Sequence, residues 1–489
     1  MFSVYGEPRL TNDKEANIAV QGPNGSWCVS EWQGVVADTA EVLRAINVNA
    51  GTVVISQLDN GPAFIAIDQA LELLEAVHVP LPQFFTDEQV NSIGDLVGAE
   101  WLLETAVGER VAHQCDHVQI AGNDVCKRAR IRRSGAIKPH DGTGLITFTS
   151  GSTGNPKGVC LSRAHMRSVS DGIREVLQRL DIKRHLSALP YGVLLEHVAG
   201  INTAFSQGTT IVSLPLASVG LKGSSSFDPC IFDHCLRAYK IESVILLPQM
   251  LKAWVHYLEK NSLVASVSLK FVAAGGAPVG KALIQRSTEL RIPVHEGYGL
   301  SEGGSVQTLN LAPDQCTGGV GKSLPHSKLT LGDDGEIWLH KPVMLGYLGH
   351  PPQGEQPFPT GDLGVQSADG TWQIVGRKKN VIVTSFGRNV SPEWLETLLC
   401  EQPIIAHAVV IGDSMPRLAA VIWPVDANVT RLQIAEAIKT INSGLPDYAQ
   451  VASWCFGSVD SDSRQLEFTP NGRPKRLTIA EKYRSHLQI

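Results

Sequence analysis

The sequence predicts an α/β protein in two unequal parts. A large N-terminal domain of helix-covered, mostly parallel sheets carries a smaller β-rich section, and a small α+β C-terminal domain follows. Three features predict it. Strand and helix signals alternate over about the first 300 residues, the rhythm of parallel strands joined by helical crossovers. Around Gly335-Glu-Ile-Trp-Leu-His340 the pattern changes to short strands with Gly and Pro turns. After Gly376 a further stretch of about 110 residues mixes both signals, enough for a small domain. The division is therefore placed at residues 1–376 and 377–489.

Taken in order, residues 52–55 form a β-branched run, and residues 62–76 space Phe64, Ile67, Leu71 and Leu74 as one helical face. Residues 77–81 read as a strand. Thr86-Asp-Glu-Gln89 fits a capping box, in which each side chain satisfies the other residue's orphan amide. The rhythm returns with strand 210–214, helix 229–239, strand 243–247, helix 249–258, strand 269–273 and helix 279–290. No fixed-period repeat or low-complexity tract interrupts it.

Composition narrows the function classes. Across 489 residues, 42 Lys and Arg face 48 Asp and Glu, a net charge of −6 that supplies no electrostatic footprint for nucleic acid. With 43% apolar and 18% charged residues the chain reads as globular. No apolar stretch approaches the roughly 18 residues of a membrane span, and the first residues lack the basic and apolar regions of a signal peptide. Nine cysteines, with no Cys-x-x-Cys pair, argue against a disulfide framework or zinc ribbon. A cytoplasmic location is the simplest expectation.

The sharpest chemical signal is Leu145-Ile-Thr-Phe-Thr-Ser-Gly-Ser-Thr-Gly-Asn-Pro-Lys-Gly158. A β-rich run leads into hydroxyls and glycines, so backbone amides and Ser/Thr hydroxyls can converge on phosphate oxygens, and Lys157 adds a mobile charge. The Walker spacing fails here. It fails again at Gly318-Gly-Val-Gly-Lys-Ser323, where Leu-Pro follows and is poor helix sequence. Gly299-Leu-Ser-Glu-Gly303 matches a nucleophile elbow, yet Leu311-Ala-Pro-Asp stands where the elbow's helix should run. His113, Cys115, His117 and Cys126 fit no zinc template and are expected on a surface loop. Cys160 and Cys400 read as small buried apolar residues.

Residues 149–158 resemble the phosphate loop of the adenylate-forming superfamily, which includes the AMP-forming acyl-CoA synthetases. Further matches follow in the family's order: Ala274-Gly-Gly-Ala-Pro278, Tyr298-Gly-Leu-Ser-Glu302, Gly335-Glu-Ile with Gly346-Tyr347, Thr360-Gly-Asp362, Gly376-Arg377 and Pro470-Asn-Gly-Arg473. The resemblance implies that Thr149, Ser150, Gly151, Ser152, Thr153, Gly154 and Lys157 hold the ATP phosphates, with Glu302 and Thr153 at Mg²⁺. It implies that Gly276, Tyr298 and Gly299 border the adenine, with Ala277, Leu300 and Ser301 as further nucleotide contacts. Asp362 and Arg377 would face the ribose. Lys379 would be the hinge of a mobile C-terminal domain, and Gly387 would line the path of the coenzyme A thiol. Arg473 stands where the family carries a catalytic lysine. That departure implies altered kinetics, transfer of the role to Lys475, or lost adenylation.

The implied reaction activates a carboxylic acid with ATP and transfers the acyl group to coenzyme A. A carrier-protein phosphopantetheine acceptor and a degenerate ATP-binding homologue are the alternatives. The family's gate motif is stretched here as Leu189-Pro-Tyr-Gly-Val-Leu-Leu-Glu-His-Val-Ala-Gly200, with His197 either the gate or a structural histidine. Glu196 lies nearby, but no Asp suited to an amino group is evident. Gly303, Gly304, Ala274 and Gly275 leave room for an apolar chain, and each buried methylene contributes about 0.8 kcal/mol. A medium- or long-chain fatty acid is expected.

Overall fold

The computed structural model describes residues 18–105, 116–130, 135–149, 157–223, 226–311, 319–458, 466–468 and 474–487. Two large sheets dominate the N-terminal part. The first runs through the strands Ile18–Gly22, Thr210–Val212, Arg184–Leu186, Ser243–Leu246, Phe271–Ala274 and Val294–Leu300, all parallel to their neighbours. Antiparallel strands finish both of its edges. The second sheet has a parallel centre of Leu145–Thr149, Val77–Pro80, Val53–Gln57 and Trp101–Thr105. The expected parallel architecture is therefore present.

Helix ends follow the sequence signals. Thr86 accepts from the Gln89 amide and Gln89 returns the bond, opening Asp87–Val97. Pro62, Pro229, Pro248 and Pro392 each occupy the first turn, where a missing N–H costs nothing. Several cores form on the sheets. Phe232, Trp254 and Val272 pack in one, Trp32, Phe64 and Ile67 in another. Trp254 is fully buried and donates its indole N–H to Asp233, so its polar edge is satisfied.

The β-rich section is a four-stranded antiparallel sheet containing Lys328–Leu331, Glu336–Lys341, Phe358–Gln366 and Trp372–Arg377. A short 3₁₀ turn, Lys378–Asn380, follows it. The C-terminal segment builds a three-stranded sheet of Ile405–Ile411, Leu418–Pro424 and Val451–Phe456, whose core draws on residues from Ile382 onward. Among the described residues no helix is long and apolar enough to cross a membrane.

Two expectations need correction. His117 and Cys126 do not lie on a surface loop. They face each other across a β-hairpin, because the runs on either side of Ala121-Gly122 alternate well enough to pair. Cys126 is buried and disulfide-bonded, and it is not among the six free cysteines of the described residues. Cys160 is buried as expected, but Cys400 is only partly so. The rejection of the elbow and of the second Walker spacing holds: the strand Ser305–Leu309 follows Glu302 where an elbow needs a helix, and Lys322–Ser323 is strand, not the start of a helix.

Candidate nucleotide and acyl site

Lys157 opens a strand that pairs antiparallel with Leu145–Thr149, placing Thr149 directly opposite Lys157. Ser150, Gly151, Ser152, Thr153 and Gly154, expected at the phosphates, lie outside the described residues, as do Arg473 and the rest of its motif. The strand from Lys157 pairs on its other edge with Gly346–Tyr347. That register brings the Lys157 ammonium over the Tyr347 ring, 5.1 Å from its centre. The Tyr347 hydroxyl donates to Glu302 Oε1 at 2.6 Å, and the Met344 amide donates to the Glu302 carbonyl at 2.7 Å. Burial first, and the Glu302 charge second, raise the Tyr347 pKa, so the phenol stays a donor. Cation, phenol and carboxylate, from three separate stretches of sequence, thus meet at one place.

A second group forms at the end of the β-rich sheet. Cross-strand register sets Asp362 opposite Arg377. The guanidinium Nε lies 2.6 Å from Asp362 Oδ1, and the Tyr298 hydroxyl donates to Oδ2 at 2.8 Å. Asp362 is 4% exposed, so both bonds act in a low-dielectric setting that strengthens them. Burial, then the Asp362 charge, hold the Tyr298 pKa well above its usual 10.0. Glu336, beside this pair, accepts from the Gly361 amide and from Lys378, which also bridges to Asp334.

The glycines have separate reasons. Gly276 has φ +84° in the turn that carries Ala277, a conformation that disfavours other residues. A Cβ on Gly299 would collide with the Ser305 carbonyl across the strand pair Val294–Leu300 and Ser305–Leu309. Leu300 is buried, and Ser301 begins the short turn holding Glu302. Gly387, φ +71°, closes an exposed turn between two short strands with nothing near its Cβ position. Lys379 sits in the 3₁₀ turn at the start of the C-terminal segment.

His197 is 1% exposed and donates from Nε2 to Asp68 Oδ2 at 2.9 Å, leaving Nδ1 without a partner among the described residues. Asp68 also binds His78 and Arg163, a hub that sequence reading missed because its members come from distant positions. Glu196 is fully buried and committed to His185 and the Leu189 amide. The space beside Gly304 is not an empty tunnel. A Cβ there would lie 2.6 Å from His165 Nε2, and one on Gly303 would lie 2.7 Å from Gln307 Nε2.

A family model described as "AMP-binding enzyme" matches residues 9–348, and one described as "AMP-binding enzyme C-terminal domain" matches residues 379–488. The chain is similar to the long-chain-fatty-acid–CoA ligase FadD15 of Mycobacterium bovis, 26% identical over 471 residues, covering 82% of this chain and 78% of that one. It is also similar to the 2-succinylbenzoate–CoA ligase of Lactococcus lactis, 29% identical over 283 residues, covering 56% and 58%. Its fold matches the O-succinylbenzoate coenzyme A synthetase (MenE) of Bacillus subtilis, solved in complex with ATP and magnesium ion. That match has a TM-score of 0.74 at 20% identity, covering 94% of this chain and 96% of that one.

Proposed function

Because the chain belongs to the AMP-binding enzyme family, we propose that it is an ATP-dependent, AMP-forming carboxylic acid–coenzyme A ligase. The observation that carries this reading is the meeting of Lys157, Tyr347 and Glu302 on one side of the site. Lys157 offsets phosphate charge, and Asp362 orients the ribose. Arg377 and Tyr298 hold the Asp362 carboxylate in place at the end of the sheet. The donor set suits Mg²⁺, since Glu302 is a hard oxygen ligand whose Oε2 has no hydrogen-bond partner among the described residues. Bound there, the ion would neutralise charge on the phosphate oxygens.

The acid's carboxylate attacks the α-phosphorus of ATP and pyrophosphate leaves. The coenzyme A thiol then attacks the acyl carbon of the adenylate, and AMP leaves. Arg473 supplies the positive charge near the α-phosphate in the first step, and residues 377–489 turn about Lys379 to present Gly387 for the second. Support for a division at 376/377 comes from the C-terminal core and from family matches that end at 348 and resume at 379. A medium- or long-chain fatty acid is one reading of the substrate, favoured by the name of the Mycobacterium bovis relative. The imidazole against Gly304 favours a different class, argued below.

Pyrophosphate release across a panel of acids, with coenzyme A or a carrier protein supplied, tests the reading. Acyl-CoA and AMP in equal amounts are expected. Release of pyrophosphate that yields thioester only on a carrier protein would replace coenzyme A as the acceptor. No release with any acid would leave a nucleotide-binding homologue without the activity.

A further inference from the structure

Behind the two glycines that follow Glu302 lies a set of buried polar atoms with no partner among the described residues. His165, on the helix Arg163–Leu177, is 8% exposed; its ring lies against the Gly303 carbonyl, and neither nitrogen makes a well-aligned hydrogen bond among the described residues. Ser305 is 6% exposed with its hydroxyl unpaired. Gln307 is fully buried; its Nε2 donates to the Gly303 carbonyl at 2.7 Å, and its Oε1 is unpaired. His326 spends Nε2 on the Val306 carbonyl at 2.9 Å and leaves Nδ1 unpaired.

These side chains form one cluster. Gly304 touches His165, and Gly172, seven residues along the same helix and so on the same face, touches His326. Gln307 and His165 meet at the Gly303 carbonyl, and Ser305 lies two residues from Gln307 on the strand that bulges there. Burial, against the opposing pull of the Gly303 carbonyl and with His326 nearby, lowers the His165 pKa to about 4, so at neutral pH the ring carries one N–H donor and one lone pair. Ser305 also holds φ +127°, a conformation that costs free energy and persists only where surroundings impose it.

We propose that this cluster is the far end of the acid-binding site, and that it takes an acid carrying a neutral hydrogen-bonding group, a hydroxyl, ketone or carboxamide, remote from the reacting carboxylate. The proposal rests on the carboxylate-activating reading above. Gly304 stands two residues from Glu302, about 7 Å of chain at most, so the cluster is within reach of the site. An alkyl end would leave the donors and acceptors unpaired, the situation in which a polar site discriminates most strongly. A second carboxylate fits no better. Among the described residues no lysine or arginine is bonded to any of the four side chains, and a buried charge without a partner is costly.

The test measures kcat/KM for pyrophosphate release by the full chain with ATP, Mg²⁺ and coenzyme A. Acids of matched length are compared with plain, hydroxyl, oxo, carboxamide and carboxylate ends, including benzoic acids with and without a ring hydroxyl. The expected result is a preference of at least about tenfold for a neutral polar end over the plain acid at the best length. His165→Phe and Gln307→Leu should each collapse that ratio towards one. A plain or dicarboxylic acid preferred at every length overturns the proposal, even if the variants fail to fold. A ratio unchanged in both folded variants also overturns it, since the cluster then holds only water. Release with no acid at all removes the ligase reading itself, whereas release with apolar acids removes this proposal alone.

Discussion

The Lys252 ammonium lies 2.5 Å from the carbonyl oxygen of Cys400, joining a helix of the N-terminal part to the end of a helix in the C-terminal segment. Its other protons reach the carbonyls of Ile405 at 2.5 Å and Gln402 at 3.3 Å. The contact is reciprocal, since Glu401 Oε1 accepts from the Ala282 amide in the first turn of Lys281–Glu289. A cation thus meets one helix's C-terminus and a carboxylate the other's N-terminus, each the favoured sign for the helix dipole. Burial lowers the Lys252 pKa, but the three carbonyls keep the ammonium hydrogen-bonded.

Lys252→Met keeps the stem and removes the three donors. If residues 377–489 turn during the reaction, this variant should shift the ratio of adylate formation to thioester formation relative to wild type. It should also raise the rate of proteolysis at residues 378–380 severalfold. Half-reaction assays and limited proteolysis check both. An unchanged ratio with unchanged cleavage would show that the contact does not hold the two parts in register.

Tyr347→Phe removes the hydroxyl that orients Glu302 but keeps the ring beneath Lys157. Losing a hydrogen bond to a metal-binding carboxylate typically costs about 10–100-fold in metal affinity. The Mg²⁺ concentration for half-maximal pyrophosphate exchange should therefore rise by about tenfold or more, with a smaller loss at saturating Mg²⁺. Lys157→Ala, combined with Thr153→Ala, should instead cut exchange at least tenfold, about 1.4 kcal/mol, at every Mg²⁺ level. Parallel Mg²⁺ titrations separate the two patterns.

How much of this was legible in the sequence depends on how far apart the partners lie. The capping pair Thr86 and Gln89, the prolines at helix starts and the β-branched strands are local signals, and each reappears in place. The motif residues Asp362 and Arg377 also came together, because one antiparallel hairpin sets their register. Tyr347 was visible only as part of a matched stretch, since nothing local indicates that its hydroxyl reaches Glu302, 45 residues away. Asp68 gave no signal at all. It reads as a polar residue on an apolar helix, and its partners Arg163 and His197 lie 95 and 129 residues on. The glycines at 303 and 304 suggested space, but a sequence does not show which side chain, here His165, fills it.

Glu296 predicts a stability change near neutrality. It is 8% exposed, accepts from the Val279 amide, and burial raises its pKa from 4.5 to about 7. Between those values the folded chain binds a proton that the unfolded chain has released, so stability falls as pH rises through the window. Glu296→Gln keeps an acceptor for Val279 and has no charge to bury. The variant should gain stability relative to wild type between about pH 5 and pH 8, as read by urea unfolding at each pH. A constant difference across that range would show that Glu296 ionises without cost.

Asp68 carries the strongest stability prediction. Burial alone would raise its pKa, but the Arg163 charge, then the His197 contacts and the His78 hydrogen bond, hold it well below 3.8. Two of its bonds come from the Arg163 guanidinium, whose Nη1 and Nη2 donate at 3.1 and 3.0 Å. Asp68→Asn leaves Arg163, 13% exposed at its side chain, without its buried counter-charge. Breaking such a pair from one side costs about 3–5 kcal/mol. The wild-type carboxylate contributes stability that is present above 3.8 and lost as pH falls through its lower folded value. The difference between wild type and Asp68→Asn should therefore be largest at neutral pH and shrink in acid. Replacing both partners, Asp68→Leu with Arg163→Met, should cost less than Asp68→Asn, because no charge is then stranded. The same variant tests His197, whose Nε2 has Asp68 as its partner. If the ring's orientation matters to acid binding, Asp68→Asn should raise KM for the acid while KM for ATP stays near wild type. Urea unfolding across pH and the two KM values decide it, and a loss that is equal at pH 3 and pH 7 would mean that the hub is not electrostatic.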